Sequence, residues 1–134
     1  MTEDIYLDTQ IWLDLYFKRG NNGKLAEKLI TKIIKENKFI IYSDFTVKEF
    51  KKVGLFESEI SQILGIAKPN IKRIHITKVQ GCEALRISKQ RNLPLGDVIH
   101  AVLARDNEAQ LISRDPDFRK LKDIIKAKTP EELI

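Results

Sequence analysis

The chain has 134 residues, enough to bury a core of its own, and its single cysteine, Cys82, excludes an internal disulfide. Hydrophobic residues at 43% and charged residues at 32% exclude a disordered chain, and no apolar run reaches the length of a membrane span. The net charge of +5 and a pI near 9.3 favour a polyanionic partner without identifying one.

The N-terminal "MTEDIYLDTQ" is acidic and lacks the basic start and apolar core of a signal peptide. With the lone cysteine it leads us to expect a soluble cytoplasmic protein with no membrane partner. "IYL" (5–7) reads as a short buried strand. "QIWLDLYFK" (10–18) has helical spacing, "RGNNGK" is a turn, and the apolar positions from Leu25 to Asn37 repeat as in a helix. "KFIIY" (38–42) is a second strand, followed by two short helices in "TVKEFKKV" and "ESEISQIL". Beyond Pro69 come a strand in "KRIHI" (72–76), a helix over 79–91, and "DVIHAVLA", apolar on nearly every side and so a buried helix. "AQLIS" (109–113) is a strand, "PDFRKL" a helical turn, "DIIKA" (123–127) a last strand and "TPEELI" a terminal turn. Strands alternating with helices predict one α/β domain over residues 1–134, with a mostly parallel sheet of four or five strands flanked by helices.

Ligands of open α/β sheets bind beyond the carboxyl ends of the strands, and acidic residues collect there. Asp8 follows the first strand, Asp44 the second and Asp115 the strand ending near Ser113. Asp97 opens the buried helix, and Glu49 lies in the first turn of the helix after the second strand. Each has a purely structural reading. Asp8 and Asp97 can cap the helices after them, and Asp115 before Pro116 is a strong N-cap with proline at the first helical position. Thr46 and Glu49 spell a T-x-x-E capping box, and Asp44 reads as a turn residue. Taken singly, capping is the better reading of each.

Taken together the acids suggest more. Serine, threonine or asparagine would cap as well, yet ionised residues recur at Asp8, Asp97 and Asp115 beside elements expected to be buried. If the strands converge, such carboxylates raise one another's pKa unless a cation neutralises them. Oxygen ligands without a histidine or cysteine cluster suit Mg²⁺ or Mn²⁺ rather than zinc.

"IYLDTQIWLDLY", "SDFTVKEF", "LPLGDVIHAVLA" and "LISRDPDF" resemble, in order and separation, the four acidic motifs of the PIN-domain family, which includes the VapC-type ribonuclease toxins. The likeness runs from residue 5 to 118, and its most specific parts are Gly-Asp-x-x-His-Ala and Ser-Arg-Asp-x-Asp-Phe. It implies that Asp8, Glu49, Asp97 and Asp115 form the catalytic acids. Asp8 and Asp97 would be the principal metal ligands and Asp115 would complete the site. Glu49 would hold a second metal or a water bound to it. Thr9 and Ser113 match hydroxyl positions beside the acids. Asp117 matches a frequent second aspartate, read here as a cap. Gln10 departs from the pattern, a small residue being commoner there.

The resemblance further implies Mg²⁺- or Mn²⁺-dependent hydrolysis of RNA, a small antitoxin partner and a homodimer. Lys48, Arg114 and Arg119 are candidates to contact flanking phosphates, although each taken singly reads better as a solvated charge. His100 shares a helix face with Asp97, and we favour a packed histidine over a ligand or base. His75 shows no partner, Cys82 reads as a small core residue, and Trp12, Phe17, Phe45, Phe50 and Phe56 read mostly as core. The competing classes are a non-catalytic PIN-like RNA- or protein-binding module whose acids are caps, and an unrelated α/β phosphatase or receiver. Against the latter, "LDTQIW" lacks the second aspartate of an Asp-x-Asp motif.

Overall fold

Four strands form the centre of the computed structural model, which describes residues 3–134. β1 (Ile5–Leu7), β2 (Ile40–Ser43), β3 (Ile71–Ile74) and β4 (Gln110–Ile112) pair in the order β3-β2-β1-β4, and every pairing is parallel. The strand side chains alternate between two cores. Ile5, Leu7, Ile40 and Ile112 face one, and Tyr6, Ile41 and Leu111 face the other. Strands covered on both faces must be apolar throughout, which is why these segments read as continuous hydrophobic runs.

The first core is closed by α1 (Thr9–Tyr16), α2 (Gly20–Lys35), α3 (Asp44–Lys52) and α4 (Glu57–Gly65). The second is closed by α5 (Lys78–Arg91), α6 (Leu95–Asp106) and the 3₁₀ turn Pro116–Leu121. On α6 every residue from Val98 to Ala104 is buried, so its all-round apolar character follows from contact with sheet, α5 and 3₁₀ turn together. The chain steps outward from β1 through β2 to β3, then returns across the sheet to β4 on the other side of β1. The carboxyl ends of β1 and β4 therefore flank the point where strand order reverses.

Three expected elements differ. "RGNNGK" is not a turn: α2 begins at Gly20, whose φ of 55° suits glycine, and Gly23 lies on the α1–α2 contact. A Cβ on Gly23 would come within 2.7 Å of the Asp14 carbonyl oxygen, so the glycines serve helix entry and close approach. Residues 123–127 are not a strand. Ile124 and Ile125 both pack on the second core instead of alternating, and their N–H groups donate to Leu121 O. Of the expected fifth strand, one parallel bridge between Ile112 and Lys128 remains. The helix after β2 starts at Asp44, so its capping box is Ser43 with Thr46, not Thr46 with Glu49. Among the described residues, no helix is long and apolar enough to cross a membrane.

Candidate functional site

Asp8 leaves the end of β1 with its backbone N–H still bonded to Ile112 O of β4, at 3.0 Å. Its side chain does not cap α1. Oδ2 instead accepts from Ser113 Oγ at 2.8 Å, and Oδ1 lies 3.8 Å from His100 Nε2. Ser113 Oγ also accepts the Asp115 N–H at 3.0 Å, so one hydroxyl ties the acids of two neighbouring strands together. Burial drives the Asp8 pKa upward, against the lowering effect of His100 and the Ser113 bond.

Glu49, displaced from the capping role by the earlier start of α3, reaches toward β1 and α6. Its Oε1 accepts from Thr9 Oγ1 at 2.5 Å and from His100 Nε2 at 2.6 Å. Burial would raise its pKa, but the His100 hydrogen bond and charge, with help from Thr9, hold its carboxyl below the usual range. His100 is buried as expected of a packed histidine, yet it does more than fill space. Nδ1 meets Tyr6 Oη at 2.6 Å, and that hydroxyl continues to Ser43 Oγ at 2.8 Å. Burial disfavours the imidazolium, but Tyr6, Glu49 and Asp8 around it raise its pKa to about 10. His100 is thus a fixed cation set between two of the four expected acids.

A second group of carboxylates sits on the other side of Asp8. Oxygens of Asp97, Asp115 and Asp117 lie within 4.8 Å of one another. Asp97 is the third residue of α6, whose N-cap is Pro94, so the expected capping role fails for it as well. Its Oδ2 is buried without a hydrogen-bond partner among the described residues. Desolvation, then the charges of Asp115 and Asp8, push its pKa up to about 7. Asp115 does cap, accepting the Asp117 N–H at 2.9 Å with Pro116 at the first position of the 3₁₀ turn. The same turn brings Asp117 into the cluster, where the sequence suggested a cap alone. The two-residue spacing of Asp115 and Asp117 was the available signal.

The four expected acids thus divide. Asp8 and Glu49 bind His100, Thr9 and Ser113, whereas Asp97 and Asp115 cluster with Asp117. An orphaned buried carboxylate oxygen beside two further carboxylates fits a hard divalent cation, which takes oxygen ligands and relieves their repulsion. Of the expected phosphate contacts, Lys48 is exposed on a groove of about 450 Å³ beside Asp97, together with Lys52 and Phe45. Arg114 and Arg119 line a separate cavity beside Asp115. His75 is not partnerless: its Nδ1 meets Asp44 Oδ2 at 2.8 Å, and Arg73 binds the same carboxylate. Cys82 is exposed on α5 rather than in the core. Trp12 and Phe50 are buried, whereas Phe17 and Phe56 are exposed.

An all-parallel α/β sheet with carboxylates gathered where strand order reverses defines a protein built to hold a cation and an anionic ligand at the strand ends. The family model described as PIN domain matches residues 5–124, and the chain belongs to the PIN domain family. It is similar in structure to VapBC2 from Rickettsia felis bound to a promoter DNA fragment, with a TM-score of 0.67 and 19% identity over 90% of this chain and 95% of that one. A toxin–antitoxin complex from Klebsiella pneumoniae gives a TM-score of 0.62 and 21% identity, covering 94% of this chain and 99% of its own. A protein of Pyrobaculum aerophilum gives 0.57 and 20%, covering 99% and 95%. At these identities the likeness is one of fold. No curated protein sequence matches the chain.

Proposed function

We propose that this protein is a metal-dependent ribonuclease that cuts RNA internally, and that it is the toxin of a toxin–antitoxin pair. The observation that carries this reading is Asp97: its Oδ2 is buried and unpartnered, among three carboxylates within 4.8 Å, where a structural cap would be satisfied. Membership of the PIN domain family and the fold shared with toxin–antitoxin proteins support it. Asp97, Asp115 and Asp117 would hold Mg²⁺ or Mn²⁺, with Asp8 directed to the same centre by Ser113. A bound cation supplies positive charge for the phosphate and activates water for hydrolysis.

The chain's own groups perform the rest. His100 neutralises Asp8 and Glu49 and keeps Glu49 oriented, so the site does not accumulate uncompensated charge. Glu49 Oε1 takes both hydrogen bonds, from Thr9 and His100, which leaves Oε2 to accept a proton from an attacking water. Lys48 supplies charge for a phosphate beside the acids. A small antitoxin would silence the site, and we expect a cytoplasmic homodimer.

The test is cleavage of a structured RNA panel by purified protein with Mg²⁺ or Mn²⁺ and with EDTA, alongside Asp8→Asn and Asp97→Asn. We expect metal-dependent cutting that both substitutions abolish while circular dichroism stays unchanged. Absence of cutting by folded, antitoxin-free protein that also fails to bind Mn²⁺ sinks the reading and leaves a binding module.

A further inference from the structure

Charge of the opposite sign gathers next to the acids. The 3₁₀ turn after Asp115 and the segment leading to Thr129 enclose a cavity of about 200 Å³, walled by Arg114, Arg119, Lys122, Lys126 and Lys128. Asp115 and Glu132 are the acids on the same wall, so cations outnumber them. Elsewhere on the molecule arginines are tied down: Arg73 to Asp44, Arg91 to Asp123 and Arg105 to Glu83. Around the cavity only Arg114 is, to Glu131, and its Nε is buried without a partner. Among the described residues, Arg119, Lys122, Lys126 and Lys128 form no ion pair.

Unpaired cations around one recess repel one another, and an anion in the recess relieves that. The size narrows the choice. The cavity is smaller than the roughly 300–1,000 Å³ that encloses a whole small molecule, yet several times the ~30 Å³ share of one water. It suits a phosphate with part of its sugar. Its position narrows the choice further. Ser113 and Asp115 form its rim, while the groove of Phe45, Lys48 and Lys52 ends on Asp97. The two depressions share no residue and meet where Asp97 and Asp115 approach each other.

We propose that the Arg119–Lys122–Lys126–Lys128 cavity is a phosphate subsite, holding an internal backbone phosphate of an RNA strand whose neighbouring bond lies over the acids. The Lys48–Lys52 groove takes the strand on the other side of the cut. The identity of the ligand rests on the ribonuclease reading; the anion site rests on the cavity itself.

The experiment is binding of a short, unstructured, fluorescein-labelled oligoribonucleotide to the full chain in EDTA, by anisotropy across a salt series. Wild type is compared with Lys122→Ala/Lys126→Ala and with Lys24→Ala/Lys28→Ala, which removes equal charge from the exposed side of α2. Each phosphate released from a single strand lowers the log–log salt slope by about 0.7, so the cavity variant should lose about 1.4 and bind about tenfold more weakly. The α2 variant should keep the wild-type slope. Equal losses in both variants, or no loss in the cavity variant, overturn the subsite. Oligonucleotides with 5′-hydroxyl and 5′-phosphate ends should bind alike, and dependence on the terminal phosphate overturns its assignment to an internal one. Binding is read without metal and cleavage by wild type with metal, so the subsite and the ribonuclease reading can fail separately.

Discussion

His100 and Asp97 carry opposite electrostatic burdens, and their pH dependences run through different windows. His100 has a folded pKa raised to about 10 from an ordinary 6.5. Its contribution is therefore complete below about pH 6.5 and is lost as pH rises through about 10. His100→Gln should cost about 2–4 kcal/mol at about pH 6, less than a fully buried ion pair because Glu49 keeps access to water. The gap in melting temperature from wild type should shrink toward about pH 10; a gap that stays constant would mean that His100 acts by packing alone. Asp97, raised to about 7 from 3.8, works in the other direction. The folded state holds a proton that the unfolded state releases, so metal-free stability falls as pH climbs from about 4 to about 7. Asp97→Asn should gain on the order of 3 kcal/mol over metal-free wild type at about pH 8 and nothing at about pH 4, measured by urea unfolding. The positions of these acids were legible in the sequence, because each follows a strand or opens a helix. Their partners were not. A histidine on a buried helix looks like filler until Tyr6, 94 residues away, is brought to its Nδ1.

At the scale of elements, the start of α6 shows how one backbone position sets a side chain on another helix. Gly96 is the second residue of α6, and a Cβ there would lie 3.2 Å from Glu49 Oε2 and 3.2 Å from Phe45 Cε2. Alanine favours a helix over glycine by about 1 kcal/mol, whereas the crowded neighbours must yield by a few tenths of an ångström. Gly96→Ala should therefore change stability by less than about 1 kcal/mol. RNA cleavage should fall about tenfold through the displaced Glu49, since small misplacements at reacting groups are expensive. Thermal unfolding and initial cleavage rates measure the two effects, and an active Gly96→Ala would separate Glu49 Oε2 from the chemistry. The same scale explains which elements could be read in advance. Strands buried on both faces and the all-apolar α6 announce themselves through composition. The start of α2 did not, because Gly20, Asn21, Asn22 and Gly23 carry turn chemistry, and the α1–α2 contact that makes a helix of them is tertiary. At 123–127 the error ran the other way. An apolar pair between polar residues fits a strand locally, but β4 offers that segment a single bridge.

For the molecule as a whole, the net charge of +5 conceals a separation: carboxylates concentrate at the ends of β1 and β4, and uncompensated cations surround them. Strand order made that concentration, and the sequence shows only that acids recur after strands, not that β4 returns beside β1. A fold that gathers like charges is destabilised by them until a cation binds, so metal should act on the stability of the entire domain. A ligand that binds only the folded state at about 100 times its Kd adds about 2.7 kcal/mol. At about 3–5 °C per kcal/mol for a chain of this size, saturating Mn²⁺ should raise the Tm by about 8–14 °C, and EDTA should reverse it. The gain should depend on pH in a defined sense. Carboxylates bind metal only when deprotonated, and Asp97 gives up its proton near pH 7, so the shift should be small at about pH 5 and full at about pH 8. Asp97→Asn should show little shift at either pH, while Lys122→Ala/Lys126→Ala should keep the wild-type response because its charges face phosphate, not metal. A calorimetric titration at the two pH values decides it. An equal rise in Asp97→Asn would place the ion away from Asp97, and no rise in wild type at about pH 8 would leave the acids without a cation to hold.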